Sequence, residues 1–377
     1  MRRKFKISFK EILLIFILLI LIFPAFQQVT GLIRVKWLKG SIEAVARKPF
    51  TVKNWLSGEY QEQNEKYQND NFGFRNAFIR LNNEISFDFF KKARANGVII
   101  GKENYLFEEN YIKAYYGTDF IGKDSIEHRM KRLKFVQDTL SKLNKDLVLI
   151  FAAGKGTYYS EFFPDEFVTK KGITNYEYHL KWAKSLHINY IDFNSYFLKN
   201  KKTTKYPLYP QYGIHWSKYG MCLAADSIIH FIEKKRSIDM NAIYWDQVDM
   251  ENPKEEDYDI ADGMNLIFKL GSFKMGYPQL KFENSPQKIK PNLLVISDSY
   301  YWGMYNFGLS QVFDKSHFWY YNKEIYPETF SKPLAPLDVD LKKEINDHDV
   351  ILLMSTQATL PDLGWGFIER MYQLYKK

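Results

Sequence analysis

Four short apolar runs, spaced along the chain and each ending at small or polar residues, constrain this sequence more than any other feature. They are Leu147 to Ala153, Asn189 to Phe193, Asn292 to Ser297 and Val350 to Met354. A continuous apolar run of this length reads as a strand buried on both faces, the condition found in parallel sheets. Between the runs lie helical patterns around residues 176–186, 217–235 and 300–311. Strands alternating with helices predict a parallel sheet wrapped by helices, a three-layer α/β fold. Ligands in such sheets bind at the carboxyl ends of the strands. That rule directs attention to Gly154 and Lys155, Asp192, Ser297 to Ser299, and Ser355 with Thr356.

Ahead of these runs, Phe74, Ala77, Phe78, Leu81, Ile85 and Phe89 predict an amphipathic helix over 72–92 that packs against something. A polar break at Lys102-Glu103-Asn104, between Val98-Ile99-Ile100 and Tyr105-Leu106-Phe107, predicts a hairpin. Ile126, Met130, Leu133, Val136, Leu140 and Leu143 predict a second helix, capped by Asp124 or Ser125.

The N-terminal end is of a different kind. From Ile12 to Ile33 there is no charge, and Ile12 to Phe26 is apolar apart from Pro24. Twenty-two helical residues reach about 33 Å, enough to cross a hydrocarbon core. Five bases precede the span, which predicts a cytoplasmic N-terminus and an exported body. No small-x-small cleavage site follows, so an uncleaved signal anchor is preferred to a signal peptide. The expected organisation is a cytoplasmic basic segment (1–11), a transmembrane anchor (12–33), a linker (34–59) and a folded domain (60–377). The ten bases and two acids up to residue 48 account for +8 of the net +9. The body is therefore nearly neutral, which argues against a nucleic-acid partner.

Cys222 is the single cysteine, so no internal disulfide or multi-thiolate metal site forms. The seven histidines include no HExxH or H-x-H pair. Neither a metal nor a cofactor is expected. Residues 246–262 carry eight acids and one base. They lack the terminal glutamate of an EF-hand loop and read as a calcium loop of another kind or as a solvated acidic loop.

Ser297-Asp298-Ser299-Tyr300 follows the third strand directly and precedes a helical pattern. A serine on such a turn is exposed at the rim of the sheet, with backbone N–H groups free to hold an oxyanion. Ser299 is the candidate nucleophile; the alternative is a helix cap. A serine hydroxyl needs a base to take its proton. His215 lies in Gln211-Tyr-Gly-Ile-His-Trp-Ser217, a polar loop that runs into a helix for which Ser217 is the expected cap.

These motifs, in this order, resemble the SGNH-hydrolase-like polysaccharide O-acetyltransferases of the AlgJ/AlgX type and the related DHHW proteins. The resemblance runs over roughly residues 60–360. It takes in Asn71-Phe-Gly-Phe-Arg75, Val98 to Gly101, Tyr105 to Phe107, Ala152 to Lys155, Ile191-Asp192, His215-Trp216-Ser217, Tyr258-Asp259-Ile260 and Leu293 to Ser299. It implies an SGNH-like domain in the periplasm, anchored in the inner membrane by a single helix, with a Ser-His-Asp triad. A polytopic membrane-bound acyltransferase would supply acetyl groups, and a cell-envelope polysaccharide would accept them. Position by position, the resemblance makes Ser299 and His215 catalytic, with Lys155, Trp216 and Tyr300 near the substrate. Lys155 reads equally well as a loop anchor. The family's triad aspartate falls on Gly213, so the acid is missing from its usual place. Either Asp298 or Asp192 substitutes for it, or the protein is a weak or non-catalytic relative that binds a glycan or scaffolds a partner. Separately, a carbohydrate esterase or deacetylase of the same fold, with water in place of the sugar hydroxyl, is the alternative activity.

Overall fold

The computed structural model describes residues 8–40 and 45–376; Arg2, Arg3, Lys4, Lys6 and Glu43 lie outside them. The chain divides into two compact units, one of residues 1–95 with 261–270, the other of 96–260 with 271–377.

In the first unit, helix α1 (Phe9–Thr30) opens with a capping box between Ser8 and Glu11 and stops at Gly31, whose φ of +61° suits glycine. It is long and apolar enough to cross a membrane, and none of its side chains is buried. Helix α2 (Arg75–Phe90) is the helix expected over 72–92. Its buried positions are Asn83, Glu84, Ser86 and Phe87, whereas Phe78, Leu81, Ile85 and Phe89 are exposed. The polar side chains win burial because they have partners. Asn83 donates to the Met264 carbonyl at 2.8 Å, and Glu84 accepts from the Ile267 N–H at 2.7 Å.

The second unit is built on a six-stranded sheet. In chain order its elements are helix α3 (Lys123–Lys142), strand β1 (Asp146–Ala152), helix α4 (Asn175–Ser185), strand β2 (Tyr190–Asp192), helix α5 (Phe193–Asn200) and helix α6 (Lys218–Arg236). Strand β3 (Leu293–Ser297), helix α7 (Tyr300–Asn306), strands β4 (Ser316–Tyr320) and β5 (Glu324–Tyr326), helix α8 (Leu341–Asp347), strand β6 (Val350–Thr356) and helix α9 (Phe367–Tyr375) follow. The strand order is β5-β4-β3-β6-β1-β2, parallel throughout except for β5. The fold is thus α/β with a mostly parallel sheet, as the alternation predicts. The hairpin forms from Val98–Ile100 and Leu106–Glu108. Helix α3 begins at Lys123 behind Gly122, without a side-chain cap, one or two residues before the expected Asp124 or Ser125.

Both faces of the central strands are covered. Leu147, Leu149 and Phe151 of β1, Leu294 and Ile296 of β3, and Ile351 and Leu353 of β6 form one core with α3, Trp319 and Phe367. The alternate residues Val148, Ile150, Val295, Leu352 and Met354 are equally buried on the other face. Helix α5 packs against β1 on that side, and α6 against α7. All five parallel strands end at the same rim, where the connecting loops converge.

A truncation at the middle of this sheet tests the core. Leu353→Ala, in a strand paired on both edges, is expected to cost about 2–5 kcal/mol, read as a lower urea midpoint with an unchanged slope. A loss below about 1 kcal/mol would contradict the packing described.

Candidate active site

Ser299 sits between the carboxyl end of β3 and the first turn of α7. Its hydroxyl makes no capping bond to the helix, so the cap reading does not apply. Instead it lies 3.0 Å from Nε2 of His215. Nδ1 of His215 lies 2.9 Å from Oδ2 of Asp259. A carboxylate only accepts, so Nδ1 carries the proton, and the Nε2 lone pair faces the serine hydroxyl. The second oxygen of Asp259 accepts from the Ile214 N–H at 2.9 Å. One carboxylate thereby fixes both the imidazole and the backbone that carries it.

The acid therefore comes from the stretch expected to be a calcium or solvated loop. Asp257 and Tyr258 of that stretch are buried, and Asp259 opens a short helix, Asp259–Gly263. Gly213 explains the exchange. A Cβ at 213 would stand 2.1 Å from the Glu256 carbonyl oxygen and 2.9 Å from the Asp257 carbonyl carbon. The backbone leading to Asp259 occupies the space that a side chain at 213 would need.

The other candidates are placed as follows. Asp298 is buried and not hydrogen-bonded to His215. It accepts from the Tyr300 N–H at 3.1 Å, the Thr356 N–H at 2.9 Å and the Thr359 hydroxyl at 2.7 Å, and so ties the ends of β3 and β6 together. Asp192 caps α5 through the Ser195 N–H and accepts from the Tyr176 hydroxyl. Lys155 is wholly buried, and its Nζ donates to the carbonyls of Gln211 at 2.8 Å and Gly213 at 2.6 Å. It is an anchor for the histidine loop. Trp216 is buried among Phe193, Phe197 and Tyr300. Tyr300, also buried, donates its hydroxyl to the Ile214 carbonyl at 2.6 Å, with its ring 4.8 Å from that of His215. These three side chains support the loop from beneath and present no surface to a substrate. Ser217 caps α6 as expected, accepting from the Gly220 N–H at 3.0 Å.

Sequence reasoning did not single out Tyr321. It follows β4, donates its N–H to the Ser297 carbonyl at 2.8 Å, and its phenol reaches both the side chain and the backbone of Ser299. Burial pushes that phenol up to about 12, so it stays protonated at neutral pH. The electrostatics of His215 are a contest. Burial pulls its pKa down, but the hydrogen bond and charge of Asp259, helped by Asp298 and Glu256, outweigh it and leave the value above 6.5. Burial also lowers Lys155 to about 7 and raises Asp257 to about 7.

A hydrogen-bonded Ser-His-Asp triad at the carboxyl rim of a parallel α/β sheet defines the class. The family described as "SGNH hydrolase-like domain, acetyltransferase AlgX" matches residues 98–259 of this chain. Among solved structures, the O-acetyltransferase domain of Pseudomonas putida AlgJ is similar at 14% identity and a TM-score of 0.49, over 74% of this chain and 99% of that one. Bacillus cereus PatB1 with a sulfonyl adduct follows at 13% identity and a TM-score of 0.47, over 70% and 97%. Pseudomonas aeruginosa AlgX has 12% identity and a TM-score of 0.43, over 70% and 67%. No curated protein matches the chain.

The exchange of the acid is testable. Gly213→Asp is expected to destabilise the domain by roughly 1–3 kcal/mol, because the new side chain meets backbone. The double variant Gly213→Asp/Asp259→Asn is expected to stay as inactive as Asp259→Asn alone. Restoration of ester turnover in the double variant would refute this account of position 213.

Proposed function

We propose that this protein is a membrane-anchored O-acetyltransferase that moves an acetyl group through Ser299 onto hydroxyls of a cell-envelope polysaccharide. The observation that carries the reading is the continuous hydrogen-bonded chain from Asp259 through His215 to Ser299. In this reading His215 takes the Ser299 proton as the hydroxyl oxygen attacks the acetyl carbonyl. The Tyr321 phenol, protonated and beside Ser299, is the group that would donate to the oxyanion that forms. The imidazolium, steadied by Asp259, returns its proton to the departing oxygen of the donor, leaving acetyl-Ser299. A sugar hydroxyl then gives its proton to His215 and attacks the acetyl carbon, and Ser299 leaves as the alcohol.

Asp259 removes the reason for a non-catalytic reading that the bare position 213 supplied. An esterase would use the same residues, with water in place of the sugar hydroxyl. The family match and the helix α1 favour transfer at a membrane, with acetyl groups delivered by a polytopic acyltransferase. On this reading α1 is the anchor and the body lies in the periplasm, with 34–59 as the linker and 60–377 as the exported domain.

Incubating the full chain in detergent with an activated acetyl ester should add about 42 Da, one acetyl, to the intact mass. Neither Ser299→Ala nor His215→Ala should take up the adduct. Wild-type protein that is folded yet neither acetylated nor able to turn over the ester would sink the proposal.

The role of Asp259 has its own readout. Asp259→Asn should lower kcat by about 10⁴-fold. The base must be neutral to act, so wild-type activity should rise with pH through a value above 6.5, the direction in which His215 is shifted. Without the Asp259 charge, burial prevails, and the residual activity of Asp259→Asn should rise at lower pH than in the wild type. An unmoved acid limb would show that Asp259 does not set the pKa of His215.

A further inference from the structure

The opposite, amino-terminal rim of the sheet carries a second cluster of ionisable groups that the triad does not use. His317 is the second residue of β4, Glu344 lies in α8, and His348 follows that helix two residues before β6. Glu344 and His348 are four residues apart, which places them on one side of the helix end. His317 reaches them from the neighbouring element. Its Nδ1 lies 2.8 Å from Oε2 of Glu344, and its Nε2 lies 3.1 Å from Oε1 of Glu328. The two imidazole rings are 4.9 Å apart. One donor atom from each of His317, Glu344 and His348 lies within 4.8 Å of the others.

A purely hydrogen-bonded cluster leaves part of this arrangement without a purpose. His348 is wholly buried, and its Nδ1 donates to the Glu344 carbonyl at 2.6 Å. Its Nε2 therefore holds a free lone pair, and that atom has no hydrogen-bond partner among the described residues. Oε2 of Glu328 is buried in the same condition. An imidazole whose other nitrogen donates to a backbone carbonyl is the form in which histidine ligates metals, because that bond fixes the tautomer and the ring. Burial also holds His348 below its ordinary pKa, so it is uncharged at neutral pH.

We propose that His317, Glu344 and His348 bind a zinc-type divalent cation at this rim, with a solvent oxygen completing the shell. Imidazole and carboxylate donors suit zinc better than magnesium or calcium, which prefer all-oxygen shells. Tetrahedral ligation at about 2.0–2.1 Å puts donors roughly 3.3 Å apart. The three donors, within 4.8 Å of one another, draw together to that spacing on binding. The cation replaces the proton shared between His317 and Glu344, so binding releases a proton and weakens in acid. Glu328 is part-exposed and marks the way in. The site would staple β4 to the α8–β6 turn, away from the acyl chemistry, so its test does not depend on the proposed activity.

The test uses the full chain in detergent, without a histidine tag, stripped with chelator, loaded with zinc chloride and dialysed. Elemental analysis should find about one zinc per chain, with a raised melting temperature relative to the stripped protein. His317→Gln and His348→Gln should each weaken zinc binding by about 100-fold or more, beyond what loss of an outer partner costs. His215→Ala should keep the zinc, which separates this rim from the triad. Cobalt(II) added to the stripped wild type should give the visible absorption of a four-coordinate nitrogen and oxygen site, a readout that needs no variant to fold. Wild type that retains no zinc and shows no cobalt band overturns the proposal. So does zinc retained equally by both histidine variants, or lost only in His215→Ala.

Discussion

The two hydrogen bonds accepted by Asp259 hold the candidate site together. One oxygen takes the Nδ1 proton of His215 and the other takes the N–H of Ile214, so the ring and its backbone are referenced to one rigid group. A carboxylate bonded to the ring alone would leave the loop free to carry the imidazole off the serine. A misplacement of about 1 Å at such a base can cost on the order of 100-fold in rate. The arrangement requires the segment that bears Asp259 to lie directly against residue 213, and a bare glycine there makes the approach possible. Gly213 and Asp259 are thus two halves of one structural solution, separated by 46 positions in the chain.

The polar and aromatic groups beneath the histidine loop serve the same end. Lys155 spends its buried ammonium or amine on two loop carbonyls, Tyr300 spends its hydroxyl on a third, and Trp216 fills the space between the loop and α5. Burying such groups is costly unless each finds a partner. Here each bond fixes a backbone oxygen on the loop that aims His215, so the cost goes into positioning the site before substrate arrives. Asp298 acts in the same way on the serine side, locking the turn after β3 to the end of β6.

Much of the sheet was legible in the sequence because its central strands are aliphatic and continuous, and that pattern has few other readings. The runs at 147–153, 292–297 and 350–354 became β1, β3 and β6 with boundaries moved by at most two residues. Strands β4 and β5 escaped notice because they lack that pattern: Ser316-His-Phe-Trp-Tyr320 is aromatic and partly polar, and β5 has three residues on the sheet edge. Ser299 and His215 were legible from local context, a serine after a strand and a histidine ahead of a helix. The acid was not. Asp259 is one of eight acids in 246–262; the resemblance takes in Tyr258-Asp259-Ile260 without giving the aspartate a role, and the folded path of the chain brings it to His215. The gap at Gly213 leaves open whether another carboxylate, Asp298 or Asp192, replaces the acid or none does, and the folded path past residue 213, which no local pattern encodes, brings Asp259 there instead.

Burial gives the surroundings of His215 an unusual charge balance. Lys155 is lowered to about 7 and Asp257 is raised to about 7, so near neutrality each spends part of its time uncharged. As pH rises through this range Lys155 loses a positive charge while Asp257 gains a negative one. Against the burial that disfavours charge on His215, the charges that bear on the ring itself are the carboxylates of Asp259, Asp298 and Glu256, which together outweigh that burial and favour the imidazolium. The same field stabilises the cationic histidine that acyl transfer requires in its transition state, when the proton has left Ser299 and not yet reached the leaving oxygen. Asp259 supplies the direct contact, and Asp298 and Glu256 reinforce it from further off.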